Sequence, residues 1–234
     1  MAEKLNVPQE QEGHAMLSPK GQQRRRFLSL FAGTAAAATL MHACSNNDDP
    51  SPDNGVNLGG GDIGILNYAY ALEQLEAAFY IRVTQTFFSG ATATEQQFLT
   101  DIRDHEIAHR EFFRNALGGK AIPTLEADFS KIDFNSRASV LGTAKAFEDL
   151  GVAAYNGAGK LITDGAYLLL AGKIVSVEAR HAAMIRDLLS NGSFADSTAV
   201  DANGLDMALA PPDVLKVAGG FLKSKINASN LPTS

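Results

Sequence analysis

The pattern that most limits what this 234-residue chain can fold into is Glu-x-x-His. It occurs twice, as Glu106-Ile107-Ala108-His109 and as Glu178-Ala179-Arg180-His181. Residues three apart share one face of an α-helix, so each copy aims a carboxylate and an imidazole at a single point. For this content of Glu and His, chance predicts so short a motif about 0.2 times. Both copies also fall at the middle of an apolar stripe. One stripe is Phe98, Leu99, Ile102, Glu106, His109, Phe113 and Leu117; the other is Tyr167, Leu170, Ala171, Ile174, Glu178, His181, Ile185 and Leu189. A buried, unpaired carboxylate is costly, so charges on such stripes need a partner.

Two further helices are predicted. One runs from about Asp62 to Phe88, with Ile65, Leu66, Ala69, Glu73, Glu76, Tyr80, Val83 and Phe87 in line. The other runs from about Ser136 to Ile162, with Val140, Leu141, Ala144, Glu148, Gly151, Tyr155 and Ile162. The two Glu-x-x-His helices span about Thr94–Leu117, with Thr94 as N-cap and Gln97 three residues on, and about Ala166–Leu189. Glu73 precedes Tyr80 by seven residues, and Glu148 precedes Tyr155 by seven. Each pair is followed by a Glu-x-x-His, 33 residues later in the first half and 30 in the second. This echo predicts two similar helical hairpins related by a pseudo-two-fold axis. Residues 118–135, with Pro123, form a long link, and residues 191–234 a tail. The tail holds a weaker helix from about Pro212 to Lys225, interrupted by Gly219 and Gly220. The expected fold is all-α: a four-helix bundle with a long crossover between helices 2 and 3 and a short C-terminal helical tail.

Bundling these stripes brings together four carboxylates (Glu73, Glu106, Glu148, Glu178) and two imidazoles (His109, His181). Two divalent cations would cancel the four negative charges. An oxygen-rich set with one imidazole per ion suits iron or manganese better than a thiolate-preferring metal. Tyr80 and Tyr155 are placed to hydrogen-bond ligands across the bundle. Glu76 stands where the motif has histidine, and is a seventh ligand, a replacement for Glu73 or a hydrogen-bond partner. The plainer alternative is a metal-free bundle with its acids at the ends. His105, off the stripe beside Asp104, is expected to be solvated or capping. Gly142, Gly151, Gly157 and Gly159 are expected to mark close packing.

This ligand pattern resembles the ferritin-like superfamily of di-metal carboxylate proteins. Segments such as Leu66-Asn67-Tyr68-Ala69-Tyr70-Ala71-Leu72-Glu73-Gln74-Leu75-Glu76 and Phe147-Glu148-Asp149-Leu150-Gly151-Val152-Ala153-Ala154-Tyr155 look like the branch that includes desiccation-related proteins and exported bacterial relatives. The likeness covers residues 62–190. It implies that Glu73, Glu106, His109, Glu148, Glu178 and His181 hold two iron or manganese ions. It also implies an oxidoreductase acting on peroxide or dioxygen in oxidative or desiccation stress. The rival expectations are a manganese-catalase-like enzyme and a non-catalytic, envelope-anchored module stabilised by its metal. A tethered domain with a long tail is poorly suited to a closed storage shell.

The N-terminal region reads as an address. Arg24-Arg25-Arg26-Phe27-Leu28 opens an uncharged run to Ala43, too short for a comfortable membrane span, and resembles a twin-arginine export signal. Leu40-Met41-His42-Ala43-Cys44 resembles a lipoprotein processing box that would lipidate Cys44, with ordinary cleavage nearby as the alternative. Residues 45–61 are Asn, Asp, Pro, Ser and Gly with few apolar side chains, as in a flexible tether. A single cysteine excludes an internal disulfide. Without residues 1–43 the chain keeps 15 basic and 23 acidic groups, a balance of −8. That argues against nucleic acid and against charge-driven lipid binding, leaving a lipid anchor at Cys44 as the route to a membrane. The expected location is therefore periplasmic or envelope-anchored.

Overall fold

The computed structural model describes residues 55–233. The export signal, Cys44 and residues 45–54 of the tether lie outside the described residues. Four helices follow one another: α1 (Gly61–Gln85), α2 (Ala93–Leu117), α3 (Arg137–Gly159) and α4 (Gly165–Leu189). α1 packs along α2 and α3 along α4, and the two hairpins meet chiefly through α1 and α3. The all-α bundle is thus the observed architecture. No helix among the described residues is long and apolar enough to cross a membrane.

The helix starts follow local hydrogen-bond chemistry. Thr92, not Thr94, caps α2: its hydroxyl accepts from the Glu95 N–H, and the Glu95 carboxylate accepts from the Thr92 N–H at 2.8 Å. Thr-x-x-Glu outcompetes Thr-x-x-Gln because a carboxylate is the better acceptor at the positive end of a helix. Glu95 also takes the Arg137 guanidinium at 2.6 Å, joining the starts of α2 and α3. Ser136 caps α3 and Asp164 caps α4. At the opposite end of the bundle Asp62, in the first turn of α1, accepts from the Thr163 and Asp164 N–H groups at the start of α4, at 2.8 Å each.

α1 is more than the expected amphipathic stripe. Every residue from Gly64 to Ala77 is buried, as in a helix covered on all sides. The covering comes partly from the crossover, whose Ile122, Leu125 and Ile132 are buried. A proline-containing segment without regular structure leaves backbone groups that need partners. Asn67 and Gln74, seven residues apart on the outer face of α1, supply them. Asn67 donates to the carbonyls of Leu58 and Lys120 and accepts from the Ile122 N–H; Gln74 accepts from the Leu125 N–H and donates to the Pro123 carbonyl.

The tail closes back on the bundle. Arg186 of α4 is almost wholly buried, and its guanidinium grips both oxygens of Asp149 on α3 (2.6 and 2.8 Å) while reaching Thr198 and Asp196 in the tail. Leu209 lies against α3 at Gly157, where an added Cβ would stand 1.7 Å from the Leu209 carbonyl oxygen. Gly157 therefore marks a close approach, though to an extended segment instead of a helix. The final helix, α5 (Pro211–Ala218), is shorter than expected and gives way to a 3₁₀ turn at Gly219–Phe221, where the paired glycines weaken helix propagation. Two short strands, β1 (Val56–Asn57) and β2 (Ile226–Asn227), then pair in parallel. Leu58 beside them is fully buried, so the segment read as tether is packed from Val56 onward. Val56 and Leu58 are the apolar exceptions in that polar stretch.

Candidate metal centre

Each helix of the bundle delivers buried acid to the middle of the core. Glu73, Glu106, Glu148 and Glu178 have no exposed surface, and His181 is 5% exposed. They fall into two groups whose ligand atoms lie within 4.8 Å of one another: Glu73, Glu106, His109 and Glu178, and Glu106, Glu148, Glu178 and His181. Glu106 and Glu178, one from each Glu-x-x-His, belong to both groups. All six residues singled out for metal in the sequence come together here.

The two halves mirror each other. His109 Nδ1 lies 3.0 Å from Glu178 and 3.4 Å from Glu73, and His181 Nδ1 lies 2.8 Å from Glu106 and 3.3 Å from Glu148. Tyr80 of α1 donates its phenolic hydrogen to Glu148 of α3, and Tyr155 of α3 donates to Glu73 of α1. The seven-residue spacing repeated in the sequence thus becomes a pair of crossed hydrogen bonds between the hairpins.

Among the described residues nine buried side-chain polar atoms lack a hydrogen-bond partner. Eight of them are carboxylate oxygens and Nδ1 atoms of these six residues. Folded proteins rarely leave such atoms unsatisfied, and a cluster of orphans aimed at one volume is what metal ligation resolves. The donor set is carboxylate oxygen and imidazole nitrogen, so it fits hard divalent ions.

Without a cation, protons compensate the charge. Burial pushes Glu73 up to about 7, against the pull of His109. Burial also lifts Glu148, and with added repulsion from Glu106 it drives Glu178 well above the usual carboxylate range. Glu106 goes the other way: burial alone would raise it, but the facing His109 and His181 outweigh burial and hold it at about 2. Burial would lower both histidines, yet the carboxylates win, raising His181 to about 10 and His109 further. Glu106 is the anion between two imidazolium groups, while burial favours the neutral form of Glu178.

Glu76 is buried but belongs to neither ligand group. Burial, and then the neighbouring Glu178, push its carboxyl well up. An added Cβ on Gly151 of α3 would lie 3.1 Å from both Glu76 Oε1 and Glu178 Oε2, so the missing side chain makes room for the two acids. Gly142 and Gly159 show no comparably close contact. Gly151→Ala is expected to push these carboxyls aside and weaken Mn(II) binding about tenfold, the scale of a lost outer-shell contact. Competition titration with a chelating dye, with circular dichroism as the control for folding, checks this; unchanged affinity would mean the acids shift freely.

Reading the sequence by stripes missed His105. It is exposed, as expected, but its Nδ1 lies 2.9 Å from Nε2 of His181 and the two rings lie nearly parallel, 10° apart. The signal was in the string His105-Glu106-Ile107-Ala108-His109. On a helix, His-Glu-x-x-His elsewhere marks two zinc-binding histidines. Here the glutamate takes the interior and the first histidine meets another helix.

A family model for the ferritin-like domain matches residues 61–191, more than half of the chain. The chain belongs to the ferritin-like domain family. No curated protein matches it. In this ferritin-like domain the boundaries of the match coincide with the bundle, from the first residue of α1 to just past α4. Beside the cluster runs an apolar cavity of about 20 Å³, lined by Leu66, Ala69, Leu72, Phe113, Ala154 and Tyr155. It has room for about one small molecule. Tyr155, the donor to Glu73, forms part of its wall.

Proposed function

We propose that this is an exported ferritin-like protein that holds two iron or manganese ions in the bundle core and acts as an oxidoreductase on peroxide or dioxygen in stress protection. The observation that carries the reading is the sharing of Glu106 and Glu178 between two four-residue groups. Two shared carboxylates, one further carboxylate on each side and one imidazole on each side form a symmetric double site. Glu73 and His109 would hold one ion, Glu148 and His181 the other, with Glu106 and Glu178 between them. Bound iron or manganese supplies the change in oxidation state that such chemistry needs. The protein's own part is to hold this set in place. Tyr80 and Tyr155 keep Glu148 and Glu73 turned toward the centre, and the packed core limits water. The apolar cavity beside Tyr155 suits a small uncharged oxidant better than a charged substrate.

The deciding experiment loads the full-length protein with Fe(II) or Mn(II) and follows consumption of peroxide and dioxygen. The expected result is turnover that depends on the metal. If the metal raises the melting temperature while neither oxidant is consumed, the protein is a non-catalytic module with a stabilising metal. Export and anchoring belong to the same proposal: Cys44→Ser should move the protein from the membrane fraction to the soluble periplasmic fraction. Unchanged fractionation would count against lipidation.

A further inference from the structure

His181 is the one imidazole of the centre with a second histidine behind it. Its Nδ1 faces Glu106 and Glu148, and its Nε2 faces Nδ1 of His105 at 2.9 Å. A neutral imidazole that gives Nδ1 to a metal must carry its hydrogen on Nε2. Nε2–H then donates to His105 Nδ1, which accepts, and His105 keeps its own hydrogen on Nε2, at the protein surface. The reverse arrangement, with Nδ1 of His181 protonated, leaves no lone pair for a cation. The outer hydrogen bond thus selects the ligating tautomer and the ring plane together.

The pseudo-symmetry fails at this point. Glu106 and Glu178 correspond, so the residue of α4 equivalent to His105 is Val177, which has no hydrogen-bonding group. The two halves of the centre share their carboxylate pattern and crossed tyrosines but differ in what stands next to each shared glutamate.

We infer that His105 is a positioning residue: it commits His181 to ligation through Nδ1 and so makes the two metal positions unequal. The inference rests on the two-metal reading proposed above. His105 touches no ligand carboxylate in the hydrogen-bond pattern and is exposed, so replacing it leaves the core packing in place.

The test uses the full-length protein and calorimetric titration with Mn(II). The wild type is expected to take up two ions. His105→Phe keeps the ring and removes the acceptor; it should leave one position unchanged and weaken the other about 10- to 100-fold. His105→Asn places an amide oxygen near the lost Nδ1 and should recover most of the affinity. Loading with Co(II) adds a signature that a merely structural role would not move. The His181 Nε2–H should give a paramagnetically shifted, slowly exchanging proton resonance in the wild type and His105→Asn, absent in His105→Phe. Wild-type affinity at both positions of His105→Phe overturns the inference, as does equal weakening at both, or His105→Asn behaving like His105→Phe. A wild-type protein that takes up no metal fails at an earlier step: it removes the two-metal reading and this inference with it.

Discussion

Glu106→Gln and Glu178→Gln are expected to abolish uptake of both metals, while Glu73→Gln or Glu148→Gln impairs mainly one. The shared glutamates belong to both ligand groups, and the others to one each. An amide in a shared position removes a charge from each site, and the affinity should fall by more than the roughly 100-fold attached to an outer-shell contact. The two shared glutamates nevertheless part company in the metal-free protein. Glu106 is held at about 2 by the histidines facing it, so it is the charged partner of two buried imidazolium groups. Removing one member of such a buried set leaves uncompensated charge, at a cost of about 3 kcal/mol. Glu178 is pushed well up by burial and then by Glu106, which favours its uncharged form, and glutamine is nearly isosteric with that form. Glu106→Gln should therefore lower the metal-free melting temperature sharply, and Glu178→Gln should leave it nearly unchanged, although both lose metal. Elemental analysis and thermal melts in chelator measure the two effects separately. Full metal content in Glu106→Gln would remove the double-site reading.

The second large effect is an opposite pH dependence of the metal-free and metal-bound protein. Glu73 is raised to about 7 when folded, from an ordinary carboxylate value near 4.5, and His181 to about 10 from near 6.5. A raised group binds its proton more tightly in the folded state. Its contribution to stability is complete below the unfolded value and is lost as pH climbs through the folded one. Glu73 thus costs stability between about pH 4.5 and 7, and His181 between about pH 6.5 and 10. Glu106 acts in reverse, with stability lost on acidification from about 4.5 towards 2. Metal-free protein should be most stable in mild acid and weaken steadily into the alkaline range. Cations displace these same protons, so their affinity rises with pH. The gap between melting temperatures with Mn(II) and with chelator should widen from pH 5 to pH 8, by about 5 °C or more. Parallel curves would show that the metal does not bind where the protons sit.

Much of this centre was legible before any coordinates, for a simple reason. A helix repeats every 3.6 residues, so the face shared by Glu106 and His109, or by Glu73 and Tyr80, is set locally. The internal repeat then pointed to two hairpins, and the four stripes to a bundle. Helix starts were less secure: Thr92 and Thr94 both offer a capping hydroxyl, and Glu95 decides between them through contacts that include Arg137 on another helix.

What stayed hidden depends on segments far apart in the chain. Arg186 lies off the apolar stripe of its own helix, and it is buried because Asp149, Asp196 and Thr198 arrive from elsewhere. Nothing within α1 gives Asn67 and Gln74 a task, which comes from the crossover whose backbone they partner. His105 lies off its own stripe, so periodicity gave it no task until α4 was docked beside it. The sequence by itself determined which side chains share a face, because that follows from covalent spacing and helix geometry. The tertiary structure decided which acid is favoured as an anion, which is driven towards its neutral form and which histidine is held from behind, because desolvation and pairing depend on neighbours that only packing brings within a few ångströms.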